Sequence, residues 1–365
     1  MKQLSFLIKP ASSLCNMRCR YCFYADVSDH RSVKSYGVME EETVRALFAR
    51  VAEEAPDEVT FAFQGGEPTV AGLAFFKNFC SLARECLPDV EKIHYSLQTN
   101  GLLIDDAFAA FLKEEGFLVG LSLDGYRENH NFLRKKADGK DSYTEVMAAY
   151  RRLMQYGVDC NILTVVTAPL AKRATKLWQF YQKNKLEFVQ LIPCLDDFDA
   201  TSREAFALTP HLYGAFLKEL FPHWVDALVK GEYISVRLFD NLVRQASGEM
   251  PEMCGMCGRC SPQLVVEADG SVYPCDFYVL DEWCCGNLRD NSVKEILSHP
   301  NMQRFLVPLV SDACKNCRFF HFCRGGCKRY RALYLAKTGY CPYADFLASV
   351  ERDLTRACRF VFGRR

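Results

Sequence analysis

A chain of 365 residues, 49% hydrophobic and 25% charged, is long enough to bury a sizeable core and is neither disordered nor fibrous. Lys plus Arg and Asp plus Glu both number 45, a balance that argues against a general nucleic-acid or anionic-membrane binder and confines any basic surface to a local patch. Nineteen cysteines, an odd count in clustered spacings, fit metal ligation or catalysis in a reducing compartment better than a disulfide scaffold.

The opening MKQLSFLIKP holds a short apolar run, Leu4 to Ile8, broken by Lys9 and Pro10. It is too short for a secretory signal, and no window approaches a membrane-spanning helix, so a cytoplasmic protein with no membrane or nucleic-acid partner is expected. Leu4–Ile8 reads as a buried strand. It leads into Ser12-Ser13-Leu14-Cys15-Asn16-Met17-Arg18-Cys19-Arg20-Tyr21-Cys22. Three thiolates spaced C-x3-C-x2-C can wrap one face of a four-iron cluster from a single loop. The fourth iron then stays open, as a catalytic zinc keeps a position for substrate. Spacing alone also admits structural zinc or ordinary loop cysteines.

Val44, Leu47, Phe48 and Val51 repeat at helical spacing before a second strand, Val59–Phe63. That strand ends in Gln64-Gly65-Gly66-Glu67-Pro68, where glycines let backbone approach a ligand closely. Parallel α/β folds bind ligands at such strand ends. Another helical stripe follows at Phe76, Phe79, Cys80 and Ala83, then strands at Ile93–Leu97 and Leu118–Leu121. Ser122 and Asp124-Gly125 close the latter. Tyr143, Val146, Met147 and Tyr150 form a further helix face, with strands at Asn161–Val166 and Phe188–Ile192 beyond it. Such alternation implies parallel strands joined by right-handed crossovers. About six units are visible, fewer than a closed barrel needs. The expected fold class is therefore α/β, a partial, open β/α barrel over residues 1–235.

Residues 236–342 read as a second, cysteine-rich domain. Leu264–Glu267 and Val272-Tyr273 suggest a hairpin turning on Asp269-Gly270. A segment so rich in loops is expected to lean on metal for part of its core. Nine cysteines stand at Cys254, Cys257, Cys260, Cys275, Cys314, Cys317, Cys323, Cys327 and Cys341, one more than two four-cysteine sites require. Spacing suits zinc and iron–sulfur equally. Cys284 and Cys285 fall outside the pattern and are taken as free. Tyr343, Leu347, Val350 and Leu354 form one stripe, giving a C-terminal helix over 343–365.

The first cysteine motif, with Tyr21 before its third cysteine, resembles the radical S-adenosylmethionine (AdoMet) superfamily. There the open iron chelates AdoMet, and reductive cleavage gives a 5′-deoxyadenosyl radical. The resemblance implies cofactor contacts at Tyr21, Gln64, Gly65, Gly66 and Glu67. It also places Ser122, Arg134 and Leu195 around the ribose, carboxylate and adenine, with Tyr24 and Gln64 on the substrate side. The run C-x2-C-x5-C-x3-C from Cys314, followed by Cys341, is similar to the SPASM extension. That assigns Cys254, Cys260, Cys275 and Cys327 to one auxiliary cluster, and Cys314, Cys317, Cys323 and Cys341 to another. With Cys15, Cys19 and Cys22 the total is three [4Fe-4S] clusters. Gln64 to Thr69, Gln98-Thr99-Asn100-Gly101 and Tyr273 to Tyr278 together resemble anaerobic sulfatase-maturating enzymes across the whole chain. These oxidise a serine or cysteine in an unfolded sulfatase segment to Cα-formylglycine. Asp276 would be the general base, and flavodoxin or ferredoxin the electron donor. Two other readings compete: a SPASM peptide maturase installing thioether or carbon–carbon crosslinks, and a non-catalytic zinc or iron–sulfur protein.

Overall fold

The computed structural model describes residues 2–198, 204–308, 310–331 and 339–363. In chain order its strands are β1 (Gln3–Ile8), β2 (Met17–Cys19), β3 (Glu58–Phe63), β4 (Lys92–Thr99), β5 (Leu118–Ser122) and β6 (Arg134–Lys136). They continue with β7 (Cys160–Val166), β8 (Phe188–Pro193), β9 (Ser235–Val236), β10 (Val265–Val266) and β11 (Val272–Tyr273). All six expected strands are present, five longer by one residue and Ile93–Leu97 by three. The sheet does not close on itself, so the class is α/β with a partial barrel, as the unit count implied.

The described chain divides into two compact units. The first comprises Met1–Ser122, Asn131–Cys160 and Pro262–Leu306. Its strands run in the order β11-β10-β1-β3-β4-β5, parallel except for β11. Val59, Phe61 and Phe63 alternate along β3 and are fully buried. The helix Glu41–Glu54 covers them with Val44, Leu47, Phe48 and Val51, and Leu73–Cys86 adds Phe76 and Phe79. Phe48, Phe61 and Phe79 meet edge to face with centroids 4.9–5.6 Å apart. Each ring buried this way contributes roughly 1.5–3 kcal/mol of transfer energy.

Two features of this unit depart from expectation. The hairpin β10–β11 extends the main sheet, with Leu7 and Ile8 of β1 in parallel register with Val265 and Val266. Val266, Val272, Leu288, Val293, Ile296 and Met302 join the same core as β1 and β3. Residues 264–306 therefore share the barrel's core. A short antiparallel ribbon, β2 with β6, was also not foreseen, because Met-Arg-Cys and Arg-Lys-Lys show no alternation.

The second unit comprises Leu123–His130, Asn161–Ser261 and Val307–Arg365. Here β7, β8 and β9 pair in parallel. The helix Pro210–Lys230 starts on a Thr209 cap with proline in its first turn and ends on Gly231. Its Phe221 packs edge-on against Phe239 and Phe346, at 4.9 and 5.5 Å. The single C-terminal helix expected over 343–365 is instead two, Pro342–Ser349 and Glu351–Phe362, broken at Val350. Val350 and Leu354 stay buried through the break, so the apolar stripe continues across it. Residues 364 and 365 of that expected span lie outside the described residues. Among the described residues, no helix is long and apolar enough to cross a membrane.

Candidate active site and cysteine sites

The loop carrying Cys15, Cys19 and Cys22 leaves the C-terminal end of β1 and enters the helix Phe23–Asp29, with Cys22 as its first flanking residue. Ser12 sits at φ +49°, a left-handed conformation that costs a non-glycine residue roughly 1 kcal/mol. The surroundings hold it there. Gly66 N–H donates to Ser12 O (2.9 Å) and Glu67 N–H to Leu14 O (2.8 Å). A Cβ on Gly66 would stand 2.3 Å from Leu14 O, so this glycine is required by the loop's own backbone. Gly65, at φ +124°, needs its freedom as well. On the far side of the loop, Cys19 pairs with Arg134 in the β2–β6 ribbon, and Arg20 N–H donates to Leu133 O (2.9 Å). Gly66→Ala should therefore destabilise the fold, because the added methyl displaces the Ser13–Leu14 backbone. An anaerobic urea midpoint checks this; an unchanged midpoint would contradict it.

Glu67, only 2% exposed, ties the strand ends together. Its carboxylate accepts from Thr69 N–H and Oγ1, from Thr99 Oγ1 (2.7 Å) and from Asn100 N–H (2.7 Å). Arg134 Nη1 donates to the Tyr21 hydroxyl at 2.8 Å, and Ser122 is buried at the C-terminal end of β5. Leu195 lies in the second unit, two residues beyond β8 and half-buried.

Asp276 opens a short 3-10 turn directly after Cys275, its N–H bonded to Gln263 Oε1 (3.0 Å). The Tyr24 hydroxyl donates to Asp276 Oδ2 at 2.6 Å and also lies 3.3 Å from Gln64 Oε1. Tyr24, Gln64 and Asp276 thus come together although 252 positions separate the first from the last. Asp276 Oδ1 is buried with no hydrogen-bond partner. Burial pushes this carboxyl above its ordinary value, partly offset by the charge of Lys9 and the Tyr24 hydrogen bond. Burial and the neighbouring Asp276 push the Tyr24 phenol up, so it remains a donor.

Sequence reasoning did not single out the charged cluster behind this pair. Lys9 Nζ and Arg31 Nη1 both reach Glu267 Oε1, at 3.2 and 2.7 Å, with side chains 3%, 1% and 0% exposed. Lys9 also lies over the Tyr24 ring, 5.2 Å from its centroid. The available signal was a lysine directly after a buried strand, a position where cations usually find a partner.

None of the nineteen cysteines forms a disulfide. Burial pushes the Cys15 thiol up to about 11, with the charges of Glu67 and Cys22 adding and the Met17 N–H opposing. Such a thiol is no spontaneous nucleophile; it becomes a thiolate when a metal supplies positive charge. In the second unit, burial and then the charges of Cys327, Cys260 and Cys257 push the Cys254 thiol up to about 11, which places these groups side by side. Cys323, also pushed to about 11 by burial, feels Cys341, Cys314 and Cys317. These four cysteines are the second auxiliary set that the resemblance implies. Cys275, assigned to the other set, belongs to the first unit. The Cys257 thiol donates to the Met253 and Pro251 carbonyls, and Cys284 and Cys285 donate to Gly286 O and Trp283 O. Among the described residues, no group of three or more His, Cys, Asp or Glu is set to hold a single metal ion. The fit to iron–sulfur rests on the donor chemistry: undisulfided thiols that burial keeps protonated until a metal supplies positive charge.

The Radical SAM superfamily model matches residues 10–169, and the SPASM iron-sulfur cluster-binding domain model matches residues 254–318. The chain is 45% identical to the cysteine-type anaerobic sulfatase-maturating enzyme of Clostridium perfringens over 334 residues, 91% of this chain and 90% of that protein. It is 28% identical to the serine-type enzyme of Bacteroides thetaiotaomicron over 381 residues, covering 95% of this chain and 91% of that one. The solved structure of native anSMEcpe with bound AdoMet and Cp18Cys peptide superposes with a TM-score of 0.91 at 40% identity, covering 98% of this chain and 99% of that one. On identity, coverage and fold together, the chain belongs to the anaerobic sulfatase-maturating enzymes, whose radical SAM and SPASM domains carry iron–sulfur clusters and AdoMet.

Proposed function

We propose that this enzyme oxidises a cysteine in an unfolded sulfatase segment to Cα-formylglycine, with Asp276 as the base that takes the target's thiol proton. The observation that carries the reading is the Asp276 carboxylate: Oδ2 is fixed by Tyr24, and Oδ1 is buried without a partner, an acceptor with its hydrogen-bonding capacity unused. Cysteine is favoured over serine because the cysteine-type relative is 45% identical and the serine-type relative 28%. AdoMet and the cluster that Cys15, Cys19 and Cys22 would hold would supply hydrogen-abstracting radical chemistry at the target Cβ, the auxiliary clusters would take up the second electron, and water would replace the sulfur of the resulting thioaldehyde, releasing hydrogen sulfide.

The chain's residues do the rest. Cys15, Cys19 and Cys22 hold the first cluster, and Gly65 and Gly66 fix their loop. Tyr21, Gln64, Glu67, Ser122, Arg134 and Leu195 shape the cofactor site. Lys9 stands near Asp276, where its charge favours the carboxylate form. Cys254, Cys260, Cys275 and Cys327 hold one auxiliary cluster, and Cys314, Cys317, Cys323 and Cys341 the other, three [4Fe-4S] clusters in all. The barrel would occupy 1–235, the auxiliary domain 236–342 and the C-terminal helices the remainder. The enzyme would work in the cytoplasm, with flavodoxin or ferredoxin as electron donor.

The test is a Cys15→Ala, Cys19→Ala, Cys22→Ala variant. It should lose deoxyadenosine and aldehyde production together while keeping the iron and labile sulfide of both auxiliary clusters. Retained deoxyadenosine formation would overturn the assignment.

A further inference from the structure

The β2–β6 ribbon sets Arg18 directly opposite Lys135. Like charges facing each other across a strand pair are destabilising, so this pairing needs a reason beyond the fold. The ribbon's lysines are partly offset: Lys135 reaches Asp141, Lys136 reaches Glu145 (2.8 Å) and Lys140 reaches Asp138 (3.0 Å). The arginines are not. Among the described residues, neither has a carboxylate partner; the exposed Arg18 donates only to the Cys15 and Met17 carbonyls, and the exposed Arg20 lies over the Phe132 ring at 4.5 Å. Beside them two apolar side chains are left in solvent, Leu14 at 39% and Phe132 at 36% exposure. All of these belong to the first unit.

A basic rim with two apolar contacts therefore flanks the loop of Cys15, Cys19 and Cys22, residues of intermediate exposure. The whole chain has no net charge, so the rim is local. Small, charge-steered, partly apolar surfaces are what transient electron-transfer encounters use. We propose that Arg18, Arg20, Lys135, Leu14 and Phe132 form the docking surface for an acidic one-electron carrier protein of the flavodoxin or ferredoxin type. The inference rests on the radical reading above. One electron passes: the carrier is oxidised, the cluster held by Cys15, Cys19 and Cys22 is reduced, and no bond or proton moves.

The holoenzyme carrying Arg20→Glu, alone and with Lys135→Glu, is compared with wild type after iron counting, with deoxyadenosine as readout. Reduced flavodoxin and dithionite are used in parallel, because dithionite needs no docking surface. The flavodoxin-driven rate should fall at least about tenfold in the charge-reversed enzyme, while Arg20→Lys keeps it. Rising salt should slow the wild type and leave the reversed variant little changed. The dithionite-driven rate should be the same in all. An unchanged flavodoxin rate would overturn the proposal. So would an equal fall with both reductants, which would make these residues mere supports of the loop. A change confined to the KM for a sulfatase peptide would make the surface a substrate site and overturn it too. Absence of dithionite-driven deoxyadenosine in the wild type would remove the radical reading itself, and the docking with it.

Discussion

Asp276→Asn should keep its iron and its AdoMet binding yet form product ~100-fold or more slowly, the usual contribution of a positioned proton acceptor. The side chain is nearly isosteric, and the Tyr24 hydroxyl can still bond the retained carbonyl oxygen. What disappears is a basic oxygen at the Oδ1 position, now buried and without a partner. An amide there presents N–H groups or a weakly basic oxygen and cannot take a thiol proton. Deoxyadenosine should therefore still form in excess over aldehyde, an uncoupling that separates loss of the base from loss of the radical source. Tyr24→Phe should show a milder form of the same defect, because it releases Asp276 without removing it. Near-normal aldehyde yield in Asp276→Asn would refute the base role, and loss of iron would mean that the residue supports Cys275 instead.

Glu267→Gln should destabilise the fold by about 3–5 kcal/mol, the typical cost of removing one partner from a buried ion pair. Lys9 and Arg31 converge on a single carboxylate oxygen, and all three side chains are withdrawn from water. Glutamine can still accept one hydrogen bond, but it leaves two buried cations uncompensated. Adding Lys9→Met should recover part of the loss, since the two sites are in contact and their effects do not add. Urea midpoints measured anaerobically check both points; a shift under about 1 kcal/mol in the single variant would contradict the first. The sign with pH follows from the same contacts. Burial pushes Glu267 up, but Lys9 and Arg31 outweigh it and hold the group below its ordinary value. Its contribution is then fully present above the unfolded carboxyl range, about pH 4.3, and is lost as pH falls through the lower folded value.

The strands were legible because Val, Ile, Leu and Phe recur along their buried face between turn signals. The first cysteine motif stood out because metal ligation constrains spacing, whereas Asp276 was singled out only through the resemblance of the Tyr273–Tyr278 run. Four features were not legible. The β2–β6 ribbon carries mostly cations, so no hydrophobic period marks it. Val350 interrupts the last helix without interrupting its buried stripe, and periodicity reads the stripe alone. Gly66 was expected to face a ligand, yet its missing side chain makes room for the Ser13–Leu14 backbone. Only the folded chain shows which neighbour a glycine admits. The Lys9–Glu267–Arg31 cluster stayed hidden for a related reason: charged residues default to the surface unless long-range pairing, invisible in sequence, brings them together.

The most direct measurement is anaerobic turnover of a peptide carrying C-x-P-x-R, with AdoMet and a reductant, followed by mass spectrometry and aldehyde trapping. The cysteine should become an aldehyde, with one deoxyadenosine per aldehyde formed. The serine peptide, S-x-P-x-R, should lose the mass of two hydrogen atoms more slowly or not at all. If neither peptide is modified although deoxyadenosine is produced, or if crosslinked peptide appears in place of aldehyde, the proposed formylglycine chemistry is wrong.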